Sequence, residues 1–271
     1  MKIFAIRDEE DSRQRDVAYL LYYEKEKRFY IELPEEADPW ETPLILASFL
    51  RRGQRTVNAY WSGVWVQQRI VPPDRQNLGQ ILREHGLDSY DAFQLLMLSE
   101  GRCAQDSYYL VPISEEDLPA GFAVRMNRKV EDVVPLEGRA LLVFFRDGSV
   151  KRCDMLAELE EKKSFRPLLN SDEKFCGVSV QAGGYGVCWG EELEVSDERL
   201  YRIGVEVPLT LEDFRMFVRY RVVNTAEAAE LLDCSRQNIE DLVRRGKLHP
   251  VKEMSKSKLF LKSEINQRNW Q

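Results

Sequence analysis

The sequence predicts an α+β, multidomain protein, with small antiparallel-sheet modules followed by a C-terminal winged helix-turn-helix. Three observations lead there. The chain has 271 residues, 44% of them apolar, which suits two or three domains with real cores. Short β-favouring runs of aromatic and branched residues alternate with short apolar-periodic stretches closed by glycine. The charge is unevenly divided. Residues 221–271 hold ten Lys/Arg and seven Asp/Glu, about +3, which leaves 29 against 39, or −10, for residues 1–220 of a chain of net charge −7. An acidic body with a mildly basic end hints at nucleic acid on that end.

The first module is expected over residues 1–118. In "VAYLLYYEKEKRFYIELP" two aromatic runs flank a polar centre, which reads as a β-hairpin. "TPLILASFLRR" reads as a helix that Thr42 caps, Pro43 opens and Gly53 stops. "AYWSGVWVQQRIVPP" is β-like and ends at two prolines. "NLGQILREHGL" and "SYDAFQLLMLSEG" read as helices closed by glycine, and "DSYYLVPI" returns to strand. The stretch "IVPPDRQNLGQILREHGLDSYDAFQLLMLSEGRCAQDSYYL", residues 70–110, resembles small bacterial proteins encoded beside HipA-like kinases. That resemblance implies a genomic setting and no active site.

The second module is expected over residues 127–205. "RALLVFFRDGSVKRCDM" is a hairpin about Asp147-Gly148. "MLAELEEKKSFRPLL" is a short polar helix and loop. "FCGVSVQAGGYGVCWGEELEVSDERLYRIG" places two strands around Gly183-Gly184, then an acidic turn and a last short element. Leu141 to Met155, Leu168, Phe175 to Trp189 and Glu192 to Gly204 together resemble the bacterial family called domain of unknown function 2442. Members often sit beside toxin–antitoxin-type genes, so the resemblance implies partner binding. A connector helix follows over 210–222, with Thr210 and Asp213 at capping-box spacing and Leu211, Phe214, Val218 and Val222 at helical steps.

The last module, 223–271, opens on "NTAEAAELLDCSRQNIEDLVRRGKLHP". Asn224 and Glu227 can cap a first helix reciprocally, with Ala228, Leu231 and Leu232 inward. Asp233-Cys234 makes the turn. Ser235 caps a second helix whose inner face is Ile239, Leu242 and Val243, and Gly246 ends it. Arg236, Gln237 and Asn238 are then exposed on its first turn, where such helices meet base edges or phosphates. Arg244, Arg245 and Lys247 are suited to backbone contacts. "HPVKEMSKSKLFLKSEI" reads as two strands around "MSKSK", a wing, and then a helix. These residues resemble the excisionase and MerR-like winged helix-turn-helix family. The resemblance implies recognition of duplex DNA by Ser235, Arg236, Gln237 and Asn238, with help from Lys256 and Lys258 of the wing. The sequence departs from that family at Asp233, where glycine is usual, and at Glu240 and Asp241, two carboxylates that would oppose phosphates.

Other chemistry is sparse. Cys103, Cys153, Cys176, Cys188 and Cys234 form no close C-x-x-C pair, so neither zinc nor a disulfide framework is expected, and the thiols read mostly as small buried hydrophobes. His85 reads as a helix end and His249 as a turn residue. No nucleophile elbow, P-loop or zinc-protease motif occurs. The glycines of "AGGYGVCWG" suit a hairpin turn, Asp8 to Asp11 a solvated face, and Trp40, Trp61, Trp65 and Trp189 core or interface positions. The amino terminus turns acidic too soon for a secretory signal, and no apolar run is long enough for a membrane span. The expectation is a cytoplasmic, non-enzymatic DNA-binding regulator or antitoxin-like protein without cofactor or metal. Its acidic body would hold a protein partner, such as a toxin or kinase encoded nearby, or a second copy in a homodimer. Two alternatives stay open: an interaction adaptor that binds no DNA, and an enzyme with a site around Arg75, Arg102 and Asp106.

Overall fold

The structure, a computed structural model, describes residues 1–254 and 257–269, with side chains through Ile265. The chain divides into two compact units, residues 1–147 with 151–205, and residues 148–150 with 206–271.

The first unit begins with β1 (Lys2–Asp8), β2 (Asp16–Tyr23), β3 (Arg28–Glu32), α1 (Leu44–Arg51), β4 (Thr56–Val57), α2 (Ala59–Gln67), α3 (Leu78–Glu84), α4 (Ala92–Leu98) and β5 (Tyr108–Ile113). The strands form one antiparallel sheet in the order β4-β3-β2-β1-β5. Its register sets Phe4 against Leu20, and Leu20 against Ile31. Because strand side chains alternate between faces, Phe4, Ile6, Leu20, Tyr22, Phe29 and Ile31 share one face. They bury it against Leu46 and Phe49 of α1, Trp65 of α2 and Leu96 of α4. Ala5, Tyr19 and Leu21 take the opposite face and meet Phe122 of α5 (Ala120–Asn127).

Two expectations for this segment are corrected. "AYWSGVWVQ" is a helix, not a strand. The Asn58 side chain accepts the Trp61 amide at 3.1 Å, and Ser62, Trp65 and Val66 form its buried stripe, so capping and a helical burial period override β propensity. Thr42 does not cap α1, since its hydroxyl donates instead to the Asp38 carbonyl at 2.7 Å. Gly53, Gly86 and Gly101 do close their helices, all with φ near +70°.

Apart from Val150 and Glu206, the same unit continues through β6 (Val130–Leu136), β7 (Ala140–Phe145), β8 (Val150–Asp154), α6 (Leu156–Glu161), α7 (Arg166–Leu169), α8 (Asp172–Cys176), β9 (Ser179–Val180), β10 (Gly186–Trp189), β11 (Leu193–Ser196), α9 (Asp197–Ile203) and β12 (Val205–Glu206). Leu141, Val143 and Phe145 of β7 pack with Phe165, Phe175 and Trp189 in a second core. The Trp189 indole donates to the Phe175 carbonyl at 2.7 Å, which satisfies its one polar group inside the core.

This second core abuts the first sheet through a polar seam. Lys129 is 1% exposed, and its ammonium lies 3.4 Å from Glu32 of β3 and 3.0 Å from Asp197 of α9. Tyr30 and Tyr185 stack at 3.8 Å, with 7° between their planes. The Gly183-Gly184 turn is required here. Both residues have positive φ, and a Cβ on Gly183 would fall 2.2 Å from the Tyr23 ring.

The second unit contains α10 (Leu211–Arg221), β13 (Val222–Asn224), α11 (Thr225–Leu231), α12 (Arg236–Arg244), β14 (Lys252–Met254), β15 (Ser257–Leu261) and α13 (Lys262–Asn269). The sheet order is β13-β15-β14. Val223, Ala228, Ile239, Leu248, Phe260 and Ile265 centre its core, with Leu231, Leu232, Leu242 and Val243 against them. Both α10 and α11 begin with complete capping boxes, Thr210 with Asp213 and Asn224 with Glu227. No residue of α10 is buried. Asp233 takes φ +48° in the turn between α11 and α12, a left-handed conformation that aspartate tolerates where glycine is usual.

The five thiols are free, and only Cys153 is buried, which corrects the expectation that most are. Burial pushes the Cys153 thiol up to about 11. Trp65 and Trp189 are core residues, whereas Trp40 is 86% exposed. Among the described residues no helix is long and apolar enough to cross a membrane.

Candidate nucleic-acid interface

The site is built on the two ends of α11 and α12. The Asn224 carboxamide oxygen accepts the Ala226 and Glu227 amides at 2.8 and 3.0 Å, and the Glu227 carboxylate accepts the Asn224 amide at 2.8 Å. Ser235 caps α12 by accepting the Asn238 amide at 3.2 Å. Ser235 is therefore a positioning residue, because its hydroxyl is committed to the helix end. Ile239 anchors the helix in the core. The first turn is left on the surface with Arg236, Gln237 and Asn238 exposed.

These three residues line a groove with Thr225, Arg244 and Lys258. The wing forms its far wall, and Thr225 fixes that wall in place. The Thr225 hydroxyl accepts the Lys258 amide at 3.1 Å and donates to the Lys258 carbonyl at 3.3 Å. Sequence reasoning passed over Thr225, since its partner lies 33 residues away and nothing local signals the pairing. Lys256 lies outside the described residues. His249 bonds Glu264 of α13 through its backbone amide and through Nδ1, both at 2.9 Å, consistent with a turn residue.

The carboxylates on α12 do not stand alone. Lys258 Nζ donates to Glu240 Oε2 at 2.6 Å, and that bond holds the Lys258 ammonium above its ordinary pKa. Asp241 pairs with Arg244, and with Arg245 at 2.6 Å. Three cations expected to meet phosphate are thus paired with two carboxylates of the same surface, which leaves one net positive charge among them. Arg236 has no side-chain partner among the described residues.

Residues 222–268 match the family model described as a helix-turn-helix domain. This part of the chain is similar to helix-turn-helix domains. Residues 130–206 match the model described as a protein of unknown function, DUF2442. Neither match touches residues 70–110, so the likeness there stands as a reading of the sequence alone. No curated protein and no solved structure matches the chain. Within the helix-turn-helix domain, α11 is the supporting helix and α12 the one that carries the exposed polar turn.

The three residues of the enzymatic alternative have separate partners. Arg75 donates to Asn77 at 3.0 Å, Arg102 pairs with Glu9, and Asp106 pairs with the buried Arg69. Arg69 itself stacks on Trp65 at 3.6 Å.

Proposed function

We propose that this protein is a non-enzymatic transcriptional regulator that places α12 in the major groove of an operator while residues 1–205 engage a protein partner. The observation that carries this reading is the groove lined by Arg236, Gln237, Asn238 and Lys258 on a matched helix-turn-helix domain. Arginine can donate twice to a guanine edge, and asparagine can donate to N7 and accept from the N6 amine of adenine. Partner binding, and with it an antitoxin-like role for a nearby toxin or kinase, is supported by the resemblances over residues 70–110 and 141–204. Met216, Phe217 and Tyr220, exposed on α10, would suit a second copy, which would give the paired half-sites that dimeric domains of this type read.

The test is titration of the full chain against duplexes from its own promoter at several salt concentrations. Specific binding should weaken steeply with salt, as phosphate contacts require, and Arg236→Ala should flatten the difference between operator and unrelated duplex by about tenfold. No binding at low salt overturns the reading. A second reading, an adaptor that binds no DNA, is favoured by the Glu240–Lys258 and Asp241–Arg245 pairs, which neutralise the same face.

A further inference from the structure

The Glu240–Lys258 pair carries a more specific assignment, which rests on the DNA reading above. Ile239, Leu242 and Val243 turn into the core. At 3.6 residues per turn, Gln237, Glu240, Asp241 and Arg244 therefore point away from it. Two of the four outward groups are carboxylates, and the structure treats them differently. Asp241 is shared between Arg244 of its own helix and Arg245 just beyond the helix end. Glu240 reaches across to the wing, where only Oε2 is engaged, at 2.6 Å from Lys258. Its Oε1 has no partner among the described residues, and the side chain is 51% exposed on the groove wall beside Arg236 and Gln237.

We propose that Glu240 is a base-reading residue that accepts a hydrogen bond from the exocyclic amine of cytosine, and that Lys258 positions and neutralises it. A carboxylate can only accept. Cytosine offers a lone donor in the major groove, adenine a donor beside an acceptor, and guanine and thymine acceptors only. A bare carboxylate would be repelled by the phosphates flanking the groove. The Lys258 ammonium cancels that charge at contact distance and leaves one oxygen for the base.

The experiment is selection of the full chain on duplexes with randomised sequence, followed by competition titrations on the selected site. The wild type should prefer cytosine at one position by roughly tenfold. Glu240→Gln should move that position to adenine, because a carboxamide both donates and accepts, and leave the other positions unchanged. Lys258→Gln should weaken every duplex and also reduce the cytosine preference, because Glu240 is then neither held nor neutralised. The proposal is overturned if Glu240→Gln tightens all duplexes equally with no change in sequence, for Glu240 would then only restrain Lys258. Selection of a site with no cytosine preference overturns it too, with the DNA reading intact. Failure to select any duplex at low salt removes both. Position 240 is off the core, so the melting temperature of Glu240→Gln should equal that of the wild type.

Discussion

Asp197 is a buried carboxyl whose surroundings tie stability to pH. It opens α9, where the Ser196 hydroxyl caps the helix by accepting the Arg199 amide at 3.3 Å. Burial raises its carboxyl to about 6, against the pull of Lys129 at 3.0 Å. A carboxyl that holds its proton more tightly folded than unfolded contributes stability below its unfolded value of 3.8. That contribution is lost as pH rises through about 6. The wild type should therefore lose on the order of 3 kcal/mol from this group between about pH 4 and pH 7. Asp197→Asn should remove that slope, so the difference between the two melting curves changes across the window. A constant difference would show that Lys129 keeps Asp197 ionised throughout. Asp117 and Asp213, whose carboxyls are held low by capping bonds to Ser114 and Thr210, act in the opposite sense at more acid pH. At the candidate site, Arg236, Gln237 and Asn238 were legible because capping and period place them. Asp241 stands three and four residues before Arg244 and Arg245, a spacing that helical period makes readable, whereas the Lys258–Glu240 pair was not legible, because it spans 18 residues from helix to wing.

Among the elements, α2 shows where local reading fails. "AYWSGVWV" is rich in residues that favour strands, yet Asn58 supplies a cap and the core supplies room for Trp65 at 1% exposure. The same indole supports the Arg69 guanidinium at 3.6 Å, and Arg69 in turn holds Asp106. Trp65→Ala should cost about 3–5 kcal/mol in chemical denaturation. Trp40→Ala, at an exposed position, should stay within about 0.5 kcal/mol. Equal effects would mean that α2 is not an anchor of the first core. The hairpins β2–β3 and β7–β8 and the helices α11 and α12 agree with their sequences. In each, alternation or helical period, turn chemistry and capping point the same way.

In the whole molecule the first and middle segments share one unit. Tyr185 lies in the segment 130–206, but its stacking partner is Tyr30. Asp197 lies there too, and its counter-ion Lys129 also pairs with Glu32 of β3. The Gly183 turn closes against Tyr23. Residues 127–206 produced alone should therefore unfold at lower denaturant than residues 1–205, by about 3 kcal/mol or more, because Lys129 loses Glu32 and Tyr185 loses its stacking partner. Equal stability would show that the seam is incidental to this core.

Composition, period and cap residues by themselves determined the mixed α+β class, the order of most elements and the exposed first turn of α12. Each of these depends on neighbours a few residues apart. Only the tertiary structure decided that "AYWSGVWV" packs as a helix in the first core, that Glu32, Lys129 and Asp197 meet in a buried seam, and that Glu240 of α12 pairs with Lys258 of the wing. Those outcomes join residues far apart in the chain. Burial and Coulomb attraction between such groups depend on distances in space, which separation along the sequence does not encode.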